Sequence, residues 1–292
     1  MMSTLQKIFL LTIDCDLRCD DVGLRQASLD KLLEVFNNTG VRGHVTWFLN
    51  ENDFAITKNH KSFLKEIVKN KDTLAIHDHI DWLKGNWSRE KIREYCSKSK
   101  KTVEEWMTYN GYSKKIIFHR TGCLFQRPSV YHALKDLEYT VVSDIFPGYK
   151  GENHTGFLAC DNRFISDGIK PYRHDEENFL DCQSHKGYFL QIPIVNMGLN
   201  PNLYEYTYLD FKKVSMWIHL SERKKSDICV LTLIFHPYEI MNTCWKNSER
   251  TRIDNKIVKL LEEDIQRCVS EYKLTFANME ECYKEIKKLK EV

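Results

Sequence analysis

The sequence has no apolar run long enough to cross a bilayer, which takes about 20 residues as a helix. The run that invites the question, in MMSTLQKIFLLTIDCD, covers only Ile8 to Ile13 and stops at Asp14 and Asp16. It is too short for the apolar region of a signal peptide and reads as a first strand. Net charge is almost absent too: 43 Lys and Arg stand against 41 Asp and Glu. Neither a nucleic-acid backbone nor an anionic membrane is therefore indicated as the main partner. There is no Cys-x-x-Cys pair among the 10 cysteines, and Cys15 and Cys19 are placed for neither a redox pair nor a structural zinc site. With no export signal, these cysteines point to free thiols in a reducing cytosol, so a cytoplasmic protein is expected. No Gly-rich turn follows the first apolar run, which removes support for a dinucleotide-binding fold. No linker or repeat divides residues 1–292, so one domain is expected across them, with a loop-rich insertion around 147–187.

What is present is an alternation. The chain has 292 residues, 42% of them hydrophobic and 29% charged, as in a soluble globular protein. Short apolar runs read as strands: KIFLLTI, HVTWFL, TLAI, KIIFH, TVVSDIF, YFLQIPI, CVLTLIF and LTFAN. Helical spacing lies between them, in Leu29, Leu32, Leu33 and Phe36, in a long helix ending at Gly111, in one opening at Pro128, in RIDNKIVKLLEEDIQRCVSEY, and in a closing helix from Met279. This β-α order argues for a parallel sheet, either a (β/α) barrel or an open doubly wound sheet.

Polar residues gather where the strands end. The first ends in Asp14 and Asp16. The third ends in His77, with His79 and Asp81 beyond. The fourth ends in His119 and Arg120, the fifth at Asp144, and CVLTLIF runs into His236. In a parallel barrel all strand C-termini open on one face, and that face carries the chemistry. Acids, imidazoles and a guanidinium from distant segments form one constellation there.

Taken in order, these segments resemble the motifs of the polysaccharide deacetylase superfamily, the NodB-homology or carbohydrate esterase family 4 group. LTIDCD resembles its first motif, usually Thr-Phe-Asp-Asp, and HVTWFL is similar to its Ala-Thr-Phe-Phe strand. IHDHID sits where the family has His-Ser/Thr-x-x-His, FHRTG matches its Arg motif, and LIFHP its late His motif. KPYRHDEEN and LQIPI are similar to the Pro-Tyr-Arg and Pro segment of members that act on cell-surface sugars. DCDLRCDD most resembles a divergent branch with Asp-x-Asp-x-x-x-Asp. The resemblance spans roughly residues 8–280.

It implies a distorted (β/α)7–8 barrel, and hydrolysis of an N-acetyl group from an amino sugar with a divalent metal, typically zinc, though manganese, magnesium or cobalt would also serve. Asp14 would be the general base and Asp16 a metal ligand; Cys15, inserted between the usual adjacent acids, leaves that division open. Asp20 is an alternative ligand. Arg120 would orient the base through a bidentate pair, and the Pro that usually follows it is absent. His236 would be the general acid. Asp144 would partner a His or cap a helix. Tyr172, Arg173 and the aromatic segment NLYEYTY would line a sugar cleft.

The remaining ligands are His77 with either Asp81 or His79. A helical turn straight after His77 would put Asp81 on the metal; a strand two residues longer would let His79 serve. The first fits the family's spacing, and one imidazole with two carboxylates would take manganese or magnesium more readily than a two-His site. The substrate expected is a small carbohydrate or nucleotide-linked sugar. Two other readings share the pattern: a deformylase or ureide hydrolase on the same scaffold, and a metal-free carbohydrate-binding protein that has lost catalysis.

Overall fold

The structure, a computed structural model, describes residues 5–15, 21–49, 60–83, 85–112, 114–152, 156–197, 210–243 and 250–289. Asp16, Asp20 and the aromatic segment 202–208 lie outside the described residues. The first five strands are β1 (Gln6–Asp14), β2 (Val45–Leu49), β3 (Thr73–Asp78), β4 (Phe118–Thr121) and β5 (Val141–Val142). The stretch expected to be loop-rich contains an antiparallel hairpin of β6 (Lys150–Glu152) and β7 (Leu158–Asp161), then β8 (Tyr172–His174). There follow β9 (Phe189–Gln191), β10 (Asn196–Met197), β11 (Ile228–Phe235), β12 (Met241–Thr243), β13 (Arg250–Ile253) and β14 (Thr275–Phe276).

Ten of these strands form one sheet, along the path β10-β11-β1-β2-β3-β4-β5-β9-β8 with β14 beside β1. Every pairing in it is parallel except β8 with β9. Among the described residues the path ends at β10 and β8 without joining, so the sheet is a curled half-barrel. An interior strand, β1, is apolar without alternation, and Ile8 to Ile13 are each at most 1% exposed. A parallel strand covered on both faces needs such a run, and each large side chain withdrawn from water contributes about 1.5–3 kcal/mol.

The helices obey their end signals. Asp21 caps Val22–Thr39 by accepting from the Leu24 N–H at 3.0 Å, and Gly40 closes it at φ 72°. Pro128 opens Pro128–Asp136 as expected. The helix expected from Arg252 begins instead at Asn255, because Asp254 takes the Lys256 and Ile257 N–H groups and the residues before it pair in β13. Phe211–Arg223 is a helix that the segment-by-segment reading passed over, although Val214, Trp217, Ile218 and Ser221 mark its buried face. No described helix is long and apolar enough to cross a membrane.

Two side-chain layers follow from the period of two along each strand. One face of the sheet carries Ile8, Leu10, Ala75, Phe118, Val141 and Val230, which pack together with Met279, Cys282 and Ile286 of the helix Met279–Lys288. The other carries Phe9, Leu11, Ile13, Leu74, Ile76, Leu231 and Leu233, packed against the helices outside. Two residues further on, the inner columns turn polar: Leu10 gives way to Thr12 and Asp14, Ala75 to His77, Phe118 to Arg120 and Val141 to Ser143. The candidate site is this polar end of the inner layer.

Candidate active site

Arg120 is the centre of the polar layer. It is fully buried and makes four hydrogen bonds among the described residues: Nη1 to Asp14 Oδ1 at 2.7 Å and to Thr12 Oγ1 at 2.8 Å, Nε to the Ser143 carbonyl at 3.0 Å, and Nη2 to Ser143 Oγ at 3.0 Å. Its guanidinium also lies 4.2 Å from the centre of the Phe48 ring. The pair with Asp14 is therefore single and not bidentate, because Ser143 occupies the other edge of the fork. Asp14 is 3% exposed. Burial pushes its carboxyl up, but Arg120, His77 and His236 together outweigh burial and hold it below the ordinary carboxylate value. Asp14 is an ionised acceptor at neutral pH.

His77 faces the same carboxylate, with Nδ1 3.9 Å from Asp14 Oδ2. β3 stays extended through Asp78, and a short 3-10 turn, Ile80–Leu83, starts only after His79. The helical turn directly after His77 is thus not formed; parallel pairing with β4 carries the strand on, Asp78 standing beside Thr121. The rings of His77 and His79 meet edge to face at 4.9 Å. Asp81 is fully buried, and His79 Nδ1 lies 3.5 Å from its Oδ1. Neither Asp81 oxygen accepts a hydrogen bond among the described residues. His79, Asp81 and Cys123 form a group whose ligand atoms all lie within 4.8 Å of one another. The other such group among the described residues is Asp78, Cys96 and His119, and His77 belongs to neither.

His236 follows β11 and opens the 3-10 turn Pro237–Ile240. Its Nδ1 stands 2.7 Å from Glu239 Oε1, an arrangement in which Nδ1–H donates to the carboxylate and Nε2 is directed elsewhere. Its charge is felt at Asp14, across the strand pair β1–β11.

Other expected residues lie elsewhere. His119 points away from Arg120 into the outer layer, where its Nε2 meets Asp78 Oδ2 at 3.2 Å and Ser99 donates to Asp78 Oδ1 at 2.6 Å. Alternation along β4 separates the two neighbours. Among the described residues Asp144 neither caps a helix nor bonds an imidazole; its Oδ1 accepts from the Thr121 N–H at 2.7 Å and the Thr121 hydroxyl at 3.1 Å, fixing the end of β4. Tyr172 is 1% exposed and its hydroxyl donates to the Phe179 carbonyl at 2.8 Å, so it has no ring face to offer a sugar and instead packs in the core. Arg173, next to it on the antiparallel edge strand, is half-buried and stands opposite Leu190.

Several site residues escaped the sequence reading. Glu239 carried a signal, three residues after His236 on a turn that begins with Pro237. Trp82 carried one too. It is 46% exposed and stacks on His79 with centroids 4.3 Å apart and planes 10° from parallel. Ser143 and Cys123 carried none, since only the fold brings them beside Arg120 and Asp81.

No family profile matches the chain, and no curated protein matches it. Solved structures do match, 36 chains in all. A proposed polysaccharide deacetylase from Mycobacterium smegmatis matches with a TM-score of 0.56 and 11% identity, over 97% of this chain and 91% of that one. A 4-alpha-glucanotransferase from Thermococcus litoralis matches with a TM-score of 0.56 and 10% identity, over 98% of this chain and 41% of that one. The carbohydrate esterase family 4 domain of a xylanase from the hindgut metagenome of Trinervitermes trinervoides gives 0.49 and 12%, over 98% and 94%. The chain shares the fold of the polysaccharide deacetylase structure, at 11% sequence identity. Because a glucanotransferase shares the architecture, chemistry has to be argued from the site.

Proposed function

We propose that the protein is a metal-dependent amide hydrolase that removes an N-acetyl group from an amino sugar. The observation that carries this reading is the convergence of an ionised Asp14, its Arg120 clamp, and the carboxylate-held His236 on the polar inner rim of the barrel. Amide hydrolysis needs a proton acceptor for the attacking water and a proton donor for the departing amine. Asp14 is the acceptor, held ionised and aimed by Arg120. His236 is the donor: Glu239 holds Nδ1, which leaves Nε2 to deliver a proton to the leaving nitrogen. Trp82 offers its exposed face to the apolar face of a sugar ring.

The donor set suits a divalent cation. Asp81 is a buried carboxylate without a hydrogen bond among the described residues, and a nearby cation would offset the cost of burying it. Asp81 and His79 would hold the metal, with Asp16 and His77 as the further donors that the family resemblance suggests. When bound, the metal supplies the Lewis acidity that polarises the amide carbonyl and acidifies a water.

The test is acetate release from N-acetylated amino sugars, free and nucleotide-linked, with their N-formyl counterparts as controls. Turnover is expected on an N-acetyl substrate, abolished by strong chelation and restored by zinc or cobalt. Full activity in protein verified as metal-free would remove the metal from the mechanism. Turnover of the formyl compounds alone would reassign the acyl group.

A further inference from the structure

We propose that Cys123 supplies a thiolate to the metal, so that His79, Asp81 and Cys123 make a site that selects zinc-like ions over magnesium and manganese. This deepens the metal-dependent reading above and rests on it for its catalytic relevance. Three observations carry it. The ligand atoms of the three residues lie within 4.8 Å of one another. Asp81, fully buried, accepts no hydrogen bond at either oxygen from the described residues. The turn that presents the sulfur, Gly122–Leu124, is held in a backbone conformation that side chains disfavour: Cys123 and Leu124 both have φ 53°. Non-glycine residues in that region are strained and gather at functional sites.

The surroundings shape the cradle. Gly122 lies against the His79 ring so closely that a Cβ there would come 2.3 Å from Nδ1. The same ring stacks on Trp82 with centroids 4.3 Å apart. The imidazole is thereby fixed with Nδ1 beside Asp81. A Cys-His-Asp relay is the rival chemistry for the same residue types, but a relay places thiol and carboxylate at opposite ring nitrogens. Here all three donors lie within 4.8 Å of one another, close enough to reach a single ion. Thiolate and imidazole together favour zinc and cobalt, whereas magnesium and manganese prefer carboxylate and water.

The experiment uses the full chain, stripped of metal and titrated with cobalt chloride. The wild type is expected to bind cobalt with a thiolate-to-cobalt charge-transfer absorption, and the zinc-loaded protein to show a sulfur neighbour at about 2.3 Å by X-ray absorption. Cys123→Ser should lose both signals, with its preference for zinc over manganese reduced. Asp81→Asn should weaken zinc more than 100-fold, beyond the roughly 10–100-fold typical of a group that only supports a ligand. Bound zinc should also slow alkylation of Cys123 in the wild type, read by peptide mass spectrometry, which needs no variant to fold. Cobalt bound without charge transfer, and without protection of Cys123, would overturn the thiolate while leaving a metal-dependent hydrolase standing. Failure to bind any metal would overturn both.

Discussion

Asp14 and Arg120 lie 106 positions apart in sequence and meet at 2.7 Å, with the guanidinium fully buried and the carboxylate nearly so. The same Nη1 also serves Thr12, one turn of the pleat before Asp14. The carboxylate is therefore aimed by a side chain that Ser143 and Phe48 already immobilise. Removing one partner of a buried ion pair costs about 3–5 kcal/mol, because the other charge is left uncompensated. Arg120→Ala is expected to lose that much stability, measured by denaturant unfolding. Asp14→Asn keeps an acceptor oxygen toward Arg120 and should fold. It should lose on the order of 10²–10⁴ in kcat while keeping its metal. Metal loss in Asp14→Asn would make Asp14 a ligand.

Asp14 is also expected to set the acid limb of the pH profile. Its folded pKa is depressed, burial opposing and Arg120, His77 and His236 prevailing. A depressed acid contributes stability that is complete above its unfolded value of about 3.9 and is lost only as pH falls through the folded value. The acid limb of kcat/KM assigned to Asp14 should thus fall below about 3.9, and in Arg120→Gln it should move up. An unmoved limb in that variant would show that another group controls it.

His236→Ala is expected to lower kcat by on the order of 10²–10⁴ without loss of metal, as for removal of a general acid. Glu239→Gln should lower kcat by less, with KM nearly unchanged, because the ring loses only the carboxylate that holds Nδ1 at 2.7 Å. Unchanged kcat in both variants would reduce the pair to a structural turn.

A second pH effect concerns stability alone. Burial pushes the His174 imidazole down to about 4, against about 6.5 unfolded, and its Nδ1 donates to the Asp175 carbonyl at 2.7 Å. The unfolded chain then binds the proton more readily. Its stabilising effect is complete above about 6.5, declines as pH falls, and is exhausted below about 4. The total is on the order of 2–4 kcal/mol. Urea unfolding at successive pH values should show this slope in the wild type and a flatter one in His174→Asn, whose amide keeps a donor toward Asp175. Equal slopes would assign the acid sensitivity to other groups.

Gly122→Ala should act on His79. The added methyl has no room beside a ring already stacked on Trp82, so it must displace the ring, at a cost of about 1–3 kcal/mol. A lowered Tm together with weakened zinc binding is expected. Full retention of both would mean that the ring moves freely and is no ligand.

The alternation of apolar strands and amphipathic helices was legible in the sequence because burial on both faces of a parallel strand demands a continuous run, as in Ile8–Ile13. The placement of Asp14, His77, Arg120 and His236 at strand ends was legible for the same reason, since apolar runs stop where the layer meets solvent. Which neighbour faces inward was not. His119 and Arg120 are adjacent, and only the register of β4 between β3 and β5 turns Arg120 toward Asp14 and His119 toward Asp78. The end of β3 was misjudged in the same way: backbone pairing with β4 holds it extended through Asp78, against the family's helical spacing. Tyr172, apt by composition for a sugar cleft, is taken into the core by the antiparallel strand that turns back along β9.

The sequence by itself determined the alternation of strands and helices, the polar residues at the strand ends, and the identities of an acid, a guanidinium and an imidazole among them. Local hydrophobicity and spacing suffice for these, because each depends on residues near one another in the chain. Only the tertiary structure decided that Arg120 grips Asp14 by one nitrogen, that Glu239 holds His236, and that Cys123 stands beside His79 and Asp81. Those relations depend on distances between side chains on different strands and turns, which are set by sheet register and by the packing of one strand end against the next.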